Sequence, residues 1–170
     1  KQKTLIIPNG YNGDLFHPSS SAKKKICLEL GINDDSILIG LIARYEPKKD
    51  HKNFFIAASL LKEHCRDQDI HFILAGKEID NNNIELKFLI EQLKIQDITH
   101  LLGHRTDIEV VSAALDIGCS SSYSEAGPMA LSEMMYCGVP CVSTDVGDSK
   151  IIIGDTGIIV PTRDSNSLMY

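Results

Sequence analysis

The chain has 170 residues, 43% of them hydrophobic, with 17 basic against 23 acidic side chains and a formal net charge of -6. That length and apolar content suit one globular domain with a substantial core. The acidic balance argues against nucleic acid, which selects a basic surface, although a local cationic pocket can still hold an anion. No apolar run approaches the length of a membrane span and no signal peptide is visible, while Lys1-Gln-Lys-Thr4 is an unusual start that marks the chain as a piece of a longer protein. The cysteines (27, 65, 119, 137 and 141) are odd in number and sit mostly in apolar elements, which suits reduced thiols in a cytosolic core. Cys137 to Cys141 has neither zinc-knuckle nor redox spacing, and the six histidines lack a paired helical spacing, so no metal site is expected.

In chain order, Leu5-Ile-Ile7 predicts a short strand, and Asn9-Gly10 with Asn12-Gly13 predicts tight turns up to Pro18. A helix follows over 19–30, with serine caps and Gly31 as its stop. Ile37 to Ala43 is a continuous apolar run of the parallel-sheet kind, ending in the basic loop 44–53 and then a helix over 54–64. Arg44 thus sits at the carboxyl end of a buried strand, where open α/β sheets bind ligands. His71 to Ala75 is the next strand, closed by Gly76-Lys77-Glu78, and a helix follows over 84–93. Asp67-Gln68-Asp69 precedes that strand, at the amino edge, and reads as a helix-to-strand turn instead of a metal-binding Asp-x-Asp. Thr99 to Leu102 predicts a further strand, ending in Gly103-His104-Arg105, and Thr106 to Glu109 reads as a capping box opening a helix.

Leu115 to Cys119 predicts a buried strand, Ser120 to Ser124 a loop, and Gly127-Pro128 a helix start that Gly138 stops. A helix N-terminus after such a strand presents unpaired backbone N–H groups, a ready anion site. Glu125 stands just before the helix and Glu133 within it, each able to accept hydrogen bonds from hydroxyl groups. Phosphate plus polyol describes a sugar nucleotide. Cys141 to Thr144 predicts another strand, and Ser165 reads as the start of a final helix. Alternating strands and helices predict a doubly wound, Rossmann-like parallel sheet. Arg44, Lys49, Gly76, Gly103, Arg105 and Glu125 all follow strands, so all fall on one sheet edge. No nucleophile elbow, G-x-G-x-x-G or P-loop pattern is present, which sets aside serine hydrolases, dinucleotide dehydrogenases and P-loop ATPases.

Glu125-Ala-Gly-Pro-Met-Ala-Leu-Ser-Glu133, with Gly138-Val-Pro-Cys-Val142 behind it, resembles the Glu-x7-Glu motif of retaining family 4 glycosyltransferases. The likeness covers nearly the whole chain, and it implies the C-terminal, donor-binding half of a GT-B enzyme. Residues 1–18 then correspond to the interdomain linker and 19–170 to the donor-binding domain, with the acceptor domain elsewhere. By the same resemblance Arg44 and Lys49 clamp the donor diphosphate, with Lys48 a rival because Asp50 replaces the family's usual glycine. Glu125 orients the sugar, Glu133 accepts the ribose hydroxyls, and the segment Ala126, Gly127, Pro128 and Met129 faces the diphosphate. Amides there come from Gly127 and Met129, since Pro128 has no N–H. Gly76, Lys77 and Arg105 fall where family members line the base pocket. Gly147-Asp148 stands in place of the family's paired glycines, and both Ile151–Gly157 and Ile158–Pro161 resemble the family's closing strand.

The implied reaction is retaining transfer of a hexose-type sugar from a nucleoside-diphosphate sugar, UDP-sugar slightly favoured, to a glycan, lipid-linked or polysaccharide-precursor acceptor. Neither metal nor other cofactor is expected. The implied location is cytoplasmic, with peripheral association at the inner face of the membrane open to the full-length protein. Two alternatives remain at the level of sequence: a sugar-nucleotide epimerase of related GT-B architecture, and a non-catalytic nucleotide-sugar-binding domain.

Overall fold

The computed structural model describes residues 9–169, so the strand expected at Leu5–Ile7 lies outside the described residues. Six strands form one sheet: β1 (Ile37–Ile42), β2 (Ile70–Ala75), β3 (Thr99–Leu101), β4 (Ile117–Ser120), β5 (Cys141–Thr144) and β6 (Ile158–Val160). Their order is β3-β2-β1-β4-β5-β6, and every neighbouring pair is parallel. The chain therefore winds outward one way from β1 and the other way from β4. The crevice between these two strands, at their carboxyl ends, is the topological switch point where such sheets bind ligands.

Both faces of the sheet are covered, which is why β2 is buried at all six positions and reads as an unbroken apolar run. One face packs α1 (Ala22–Leu30), α4 (Ile108–Ala114), α5 (Met129–Tyr136) and α6 (Ser149–Ile153) around Ile26, Val111, Leu131 and Met134. The other packs α2 (His51–His64), α3 (Ile84–Gln92) and α7 (Ser165–Met169) around Phe54, Phe55, Phe72 and Leu86. Phe54 meets Phe72 edge-on, with ring centroids 5.9 Å apart. Every βα unit thus delivers its outgoing loop to the same edge.

Several local expectations are corrected. Ile151–Ile153 is not strand but the end of α6: Ser149 and Ile153, one turn apart, are buried, while Ile151 is exposed. Packing of that one face overrides the β propensity of three consecutive isoleucines. The capping box at Thr106–Glu109 does not form; Asp107 occupies the N-cap position without capping, because Arg105 and Lys25 hold its carboxylate. Ser21 likewise caps α1 without a side-chain bond, whereas Gly31 ends it in the left-handed conformation as expected. Helix α2 starts earlier than expected, at His51, because Asp50 accepts a hydrogen bond from the Asn53 amide and caps it. Asp67–Asp69 does join α2 to β2 at the amino edge, where Asp69 accepts a hydrogen bond from Ser36 Oγ at 2.6 Å.

Candidate active site at the switch point

After β1 the chain makes a single 3-10 turn, Pro47–Lys49, and Asp50 then takes a left-handed backbone conformation (φ 50°). A residue here must turn the chain sharply into α2, a task that favours glycine, and Asp tolerates it better than most side chains. The turn carries Lys49 across the switch point, where its Nζ lies 2.5 Å from Glu125 Oε1. Their side chains are only 19% and 9% exposed, which sets this pair apart from a solvated surface ion pair. Lys48 points elsewhere, 3.5 Å from Glu46 and well exposed. Of the two lysines, Lys49 is the one that reaches the glutamate. Arg44 extends from the same loop and pairs with Glu46 at 2.6 Å.

The loop after β4 is fastened to this turn. Ser121 Oγ donates to the Lys49 carbonyl at 2.8 Å, and the Tyr123 amide donates to the Lys48 carbonyl at 2.9 Å. Ser122 Oγ donates to Glu125 Oε1 at 2.8 Å, and Thr144 Oγ1 donates to the Ser122 carbonyl from β5. Glu125 is thus held from two sides before any ligand arrives. Behind it, Gly147 (φ 50°) brings the β5–α6 loop so close that a Cβ would stand 2.3 Å from the Ala126 carbonyl oxygen. Only glycine fits that approach, and the Asp148 amide donates to the same carbonyl at 3.0 Å.

Gly127 and Pro128 follow, with Pro128 at the N-cap and α5 beginning at Met129. Glu133 sits in that helix, half-buried, and no described residue hydrogen-bonds its carboxylate. Burial raises its pKa above the ordinary glutamate value. A carboxylate with free acceptor lone pairs beside a helix entrance is suited to receive hydroxyl donors from a ligand.

The remaining sequence candidates fare differently. Gly76 joins loops, since a Cβ there would stand 2.1 Å from the Ala43 carbonyl oxygen and its amide donates to the Gly103 carbonyl at 2.9 Å. Lys77 is exposed and only loosely paired with Glu78, at 3.8 Å. Arg105 is turned into the scaffold. Its Nε meets Asp107 at 2.8 Å and its Nη atoms meet Glu29 at 2.5 and 3.1 Å and Asp107 at 3.1 Å, tying α1 to the start of α4. Those carboxylates raise the guanidinium pKa further.

Other residues at this edge escape a reading by motif. Asn9, in the linker segment, and Asp148 both border Gly127, and Tyr11 packs its ring 5.7 Å from that of Tyr136 in α5. The segment is therefore laid against α5, with Phe16 in the core. His51 is buried beside Tyr45 with both ring nitrogens unpartnered. Burial pushes its pKa down to about 4; the Ala43 carbonyl opposes this without reaching hydrogen-bond geometry, and Lys49 adds to it. His71 Nδ1 and His100 Nε2 meet at 2.9 Å across β2 and β3, a pairing no helical spacing reveals.

Six parallel strands in the 3-2-1-4-5-6 order, with the Lys49–Glu125 pair and the entrance of α5 at the switch point, define a nucleotide-binding lobe of the GT-B type. The chain belongs to the glycosyl transferases group 1 family, whose model matches residues 22–169. It is 25% identical over 98% of its length to the UDP-Gal:alpha-D-GlcNAc-diphosphoundecaprenol alpha-1,3-galactosyltransferase of Escherichia coli, and spans 43% of that relative. Among solved structures, HepE of Anabaena in complex with UDP superposes with a TM-score of 0.84 at 26% identity, over 97% of this chain and 45% of that one. A glycosyltransferase from Rickettsia africae superposes with a TM-score of 0.86 at 24% identity over the same shares. The chain thus spans less than half the length of each of these three proteins. No helix among the described residues is long and apolar enough to cross a membrane.

Proposed function

We propose that this chain is the donor-binding half of a retaining glycosyltransferase that moves a hexose-type sugar from UDP-sugar to an acceptor bound by a second lobe. The observation that carries the reading is the Lys49–Glu125 contact of 2.5 Å at the switch point, placed before α5 and the unpartnered Glu133. The nucleotide preference draws on UDP in the similar HepE structure and on the UDP-Gal in the name of the Escherichia coli relative.

In this reading Arg44 and Lys49 stabilise the departing diphosphate, where negative charge grows in the transition state. The amides of Gly127 and Met129 assist them at the start of α5. Glu125, already fixed by Ser122 and Lys49, orients the sugar hydroxyls, and Glu133 takes the two ribose hydroxyls. Arg105 holds α1 to α4, and the base pocket is formed by loop backbone around Gly76 and Gly103. With two cations and a helix entrance at the diphosphate, no divalent metal is required. The acceptor is a glycan, lipid-linked or polysaccharide precursor, reached from the cytoplasm at the inner face of the membrane. The test is incubation of the full-length protein with UDP-sugars, in excess chelator, with and without acceptors. Acceptor-dependent release of UDP with the anomeric configuration kept is expected. Sugar interconversion with donor alone overturns the reading in favour of an epimerase.

A further inference from the structure

The carboxyl edge carries a second cluster of cations that the donor site leaves unused. A cavity of about 230 Å³ opens between the start of α2, the loop after β4 and the segment joining β6 to α7. Lys52, Asn53, Tyr123, Arg163 and Ser165 line it, and Arg44, Lys49 and Glu125 do not. The Arg163 guanidinium lies 4.3 Å from the Tyr123 ring centroid, which fixes its direction. Arg44, Lys49 and Arg105 each face a carboxylate, but Lys52 and Arg163 form no ion pair among the described residues. Between them Asn53 is 4% exposed. Its Oδ1 accepts a hydrogen bond from Ser165 Oγ at 2.6 Å, while its Nδ2 is buried without an acceptor.

A buried amide donor left without an acceptor is costly, and native structures seldom retain one that nothing satisfies. Here the residue that lacks an acceptor lines one cavity with two cations that form no ion pair among the described residues, in a protein of net charge -6. The one carboxylate lining the cavity, Asp50, is turned to the helix start, where it accepts from the Asn53 backbone amide at 3.3 Å. We infer that this cavity is an oxyanion site for a phosphate group, distinct from the diphosphate clamp of Arg44 and Lys49. Arg163 and Lys52 supply the charge, and the Asn53 side-chain amide, closed off from solvent in the free chain, turns its Nδ2 outward to donate to the bound oxygen. The site adjoins the donor loop: the Tyr123 amide is bonded to the Lys48 carbonyl, so an anion that holds Arg163 on Tyr123 stiffens the strap that carries Glu125.

The test is a titration of the isotope-labelled protein with inorganic phosphate at constant ionic strength, following the Asn53 side-chain amide by NMR. A saturable shift of that amide pair is expected, with the midpoint moved about tenfold or more in Arg163→Gln and in Lys52→Gln, and unmoved in Arg44→Ala. A hexose phosphate titrated alongside separates the sources. Equal affinity assigns a free ion and tighter binding assigns an esterified phosphate, and either upholds the site. The inference is overturned if sodium chloride reproduces the shift, if no shift saturates, or if the response is lost in Arg44→Ala and kept in Arg163→Gln.

Discussion

Lys49 and Arg105 look alike in the sequence and differ in the folded chain. Both are basic, both follow a parallel strand onto the carboxyl edge, and both come within 2.5 Å of a glutamate. Lys49 pairs across the switch point with Glu125, joining the loop that leads into α2 to the loop that leads into α5. Arg105 pairs with Glu29 and Asp107, joining α1 to α4 on the flank of the sheet, and four of its five N–H groups are taken. The lesson is that position at the ligand edge does not suffice to make a ligand contact. The partner's place in the fold decides whether a cation is free to change partners. Under the proposed function Lys49 exchanges Glu125 for a diphosphate without loosening a helix, because Ser122 still holds the glutamate. Arg105 cannot do so without freeing α1.

The largest expected effect falls on Lys49. In the full-length enzyme Lys49→Ala should lower turnover about 10²- to 10³-fold, while Arg105→Gln should leave turnover per folded molecule close to wild type. Steady-state rates normalised to folded protein check this, and equal losses in the two variants would erase the contrast.

Beneath Lys49, buried His51 provides a second contrast, between acid and neutral conditions. Its pKa falls from 6.5 to about 4 on folding. The unfolded chain therefore takes up a proton below about pH 6.5 that the folded chain refuses until about pH 4. The stability at stake is present above the unfolded value and is lost as pH falls through this window, by about 3 kcal/mol in all. Urea unfolding from pH 7.5 to 4.5 should show this loss in the wild type and a flatter profile in His51→Phe. Parallel profiles would show that folding leaves the His51 pKa where it is in the unfolded chain.

Next in size is Glu133→Gln, which should weaken UDP and UDP-sugar equally, by about 1.5–3 kcal/mol. Because burial raises the Glu133 pKa, protonation competes with its acceptor role on the acid side. Nucleotide affinity should fall as pH drops toward that raised value, and the fall should be shallower in the variant. Isothermal titration at several pH values reads both effects. The smallest effects belong to the flank. Arg105→Gln should cost about 1 kcal/mol of stability and leave UDP affinity unchanged, and Lys77→Ala should change neither measurably in thermal unfolding or titration.

The sheet and its ligand edge were legible in the sequence because buried parallel strands are continuous apolar runs, and because glycine and proline punctuate them. Glu125 and the Arg44–Lys49 loop stood out because they follow such a run, and Glu133 because it lies in the helix that comes after Glu125. What sequence could not show was the partner of each charge. Asp107 looked like a cap until Arg105 and Lys25, the latter 82 residues away in sequence, claimed it. His51 and Asn53 looked like polar residues in a basic loop, yet both are buried, a matter of helix α2 starting at His51. The Ile151–Ile153 run reads as strand by its likeness to the family's closing strand and is helical because only one of its faces meets the core.

The account's central claim is that the switch-point glutamates divide the donor between them. Calorimetric titration of UDP, in excess chelator, into wild type, Glu125→Gln and Glu133→Gln measures this directly. One UDP per chain should bind the wild type without metal, Glu125→Gln should bind it as tightly, and Glu133→Gln should bind it more weakly. Absence of saturable binding to the wild type, or equal weakening in the two variants, would contradict the claim.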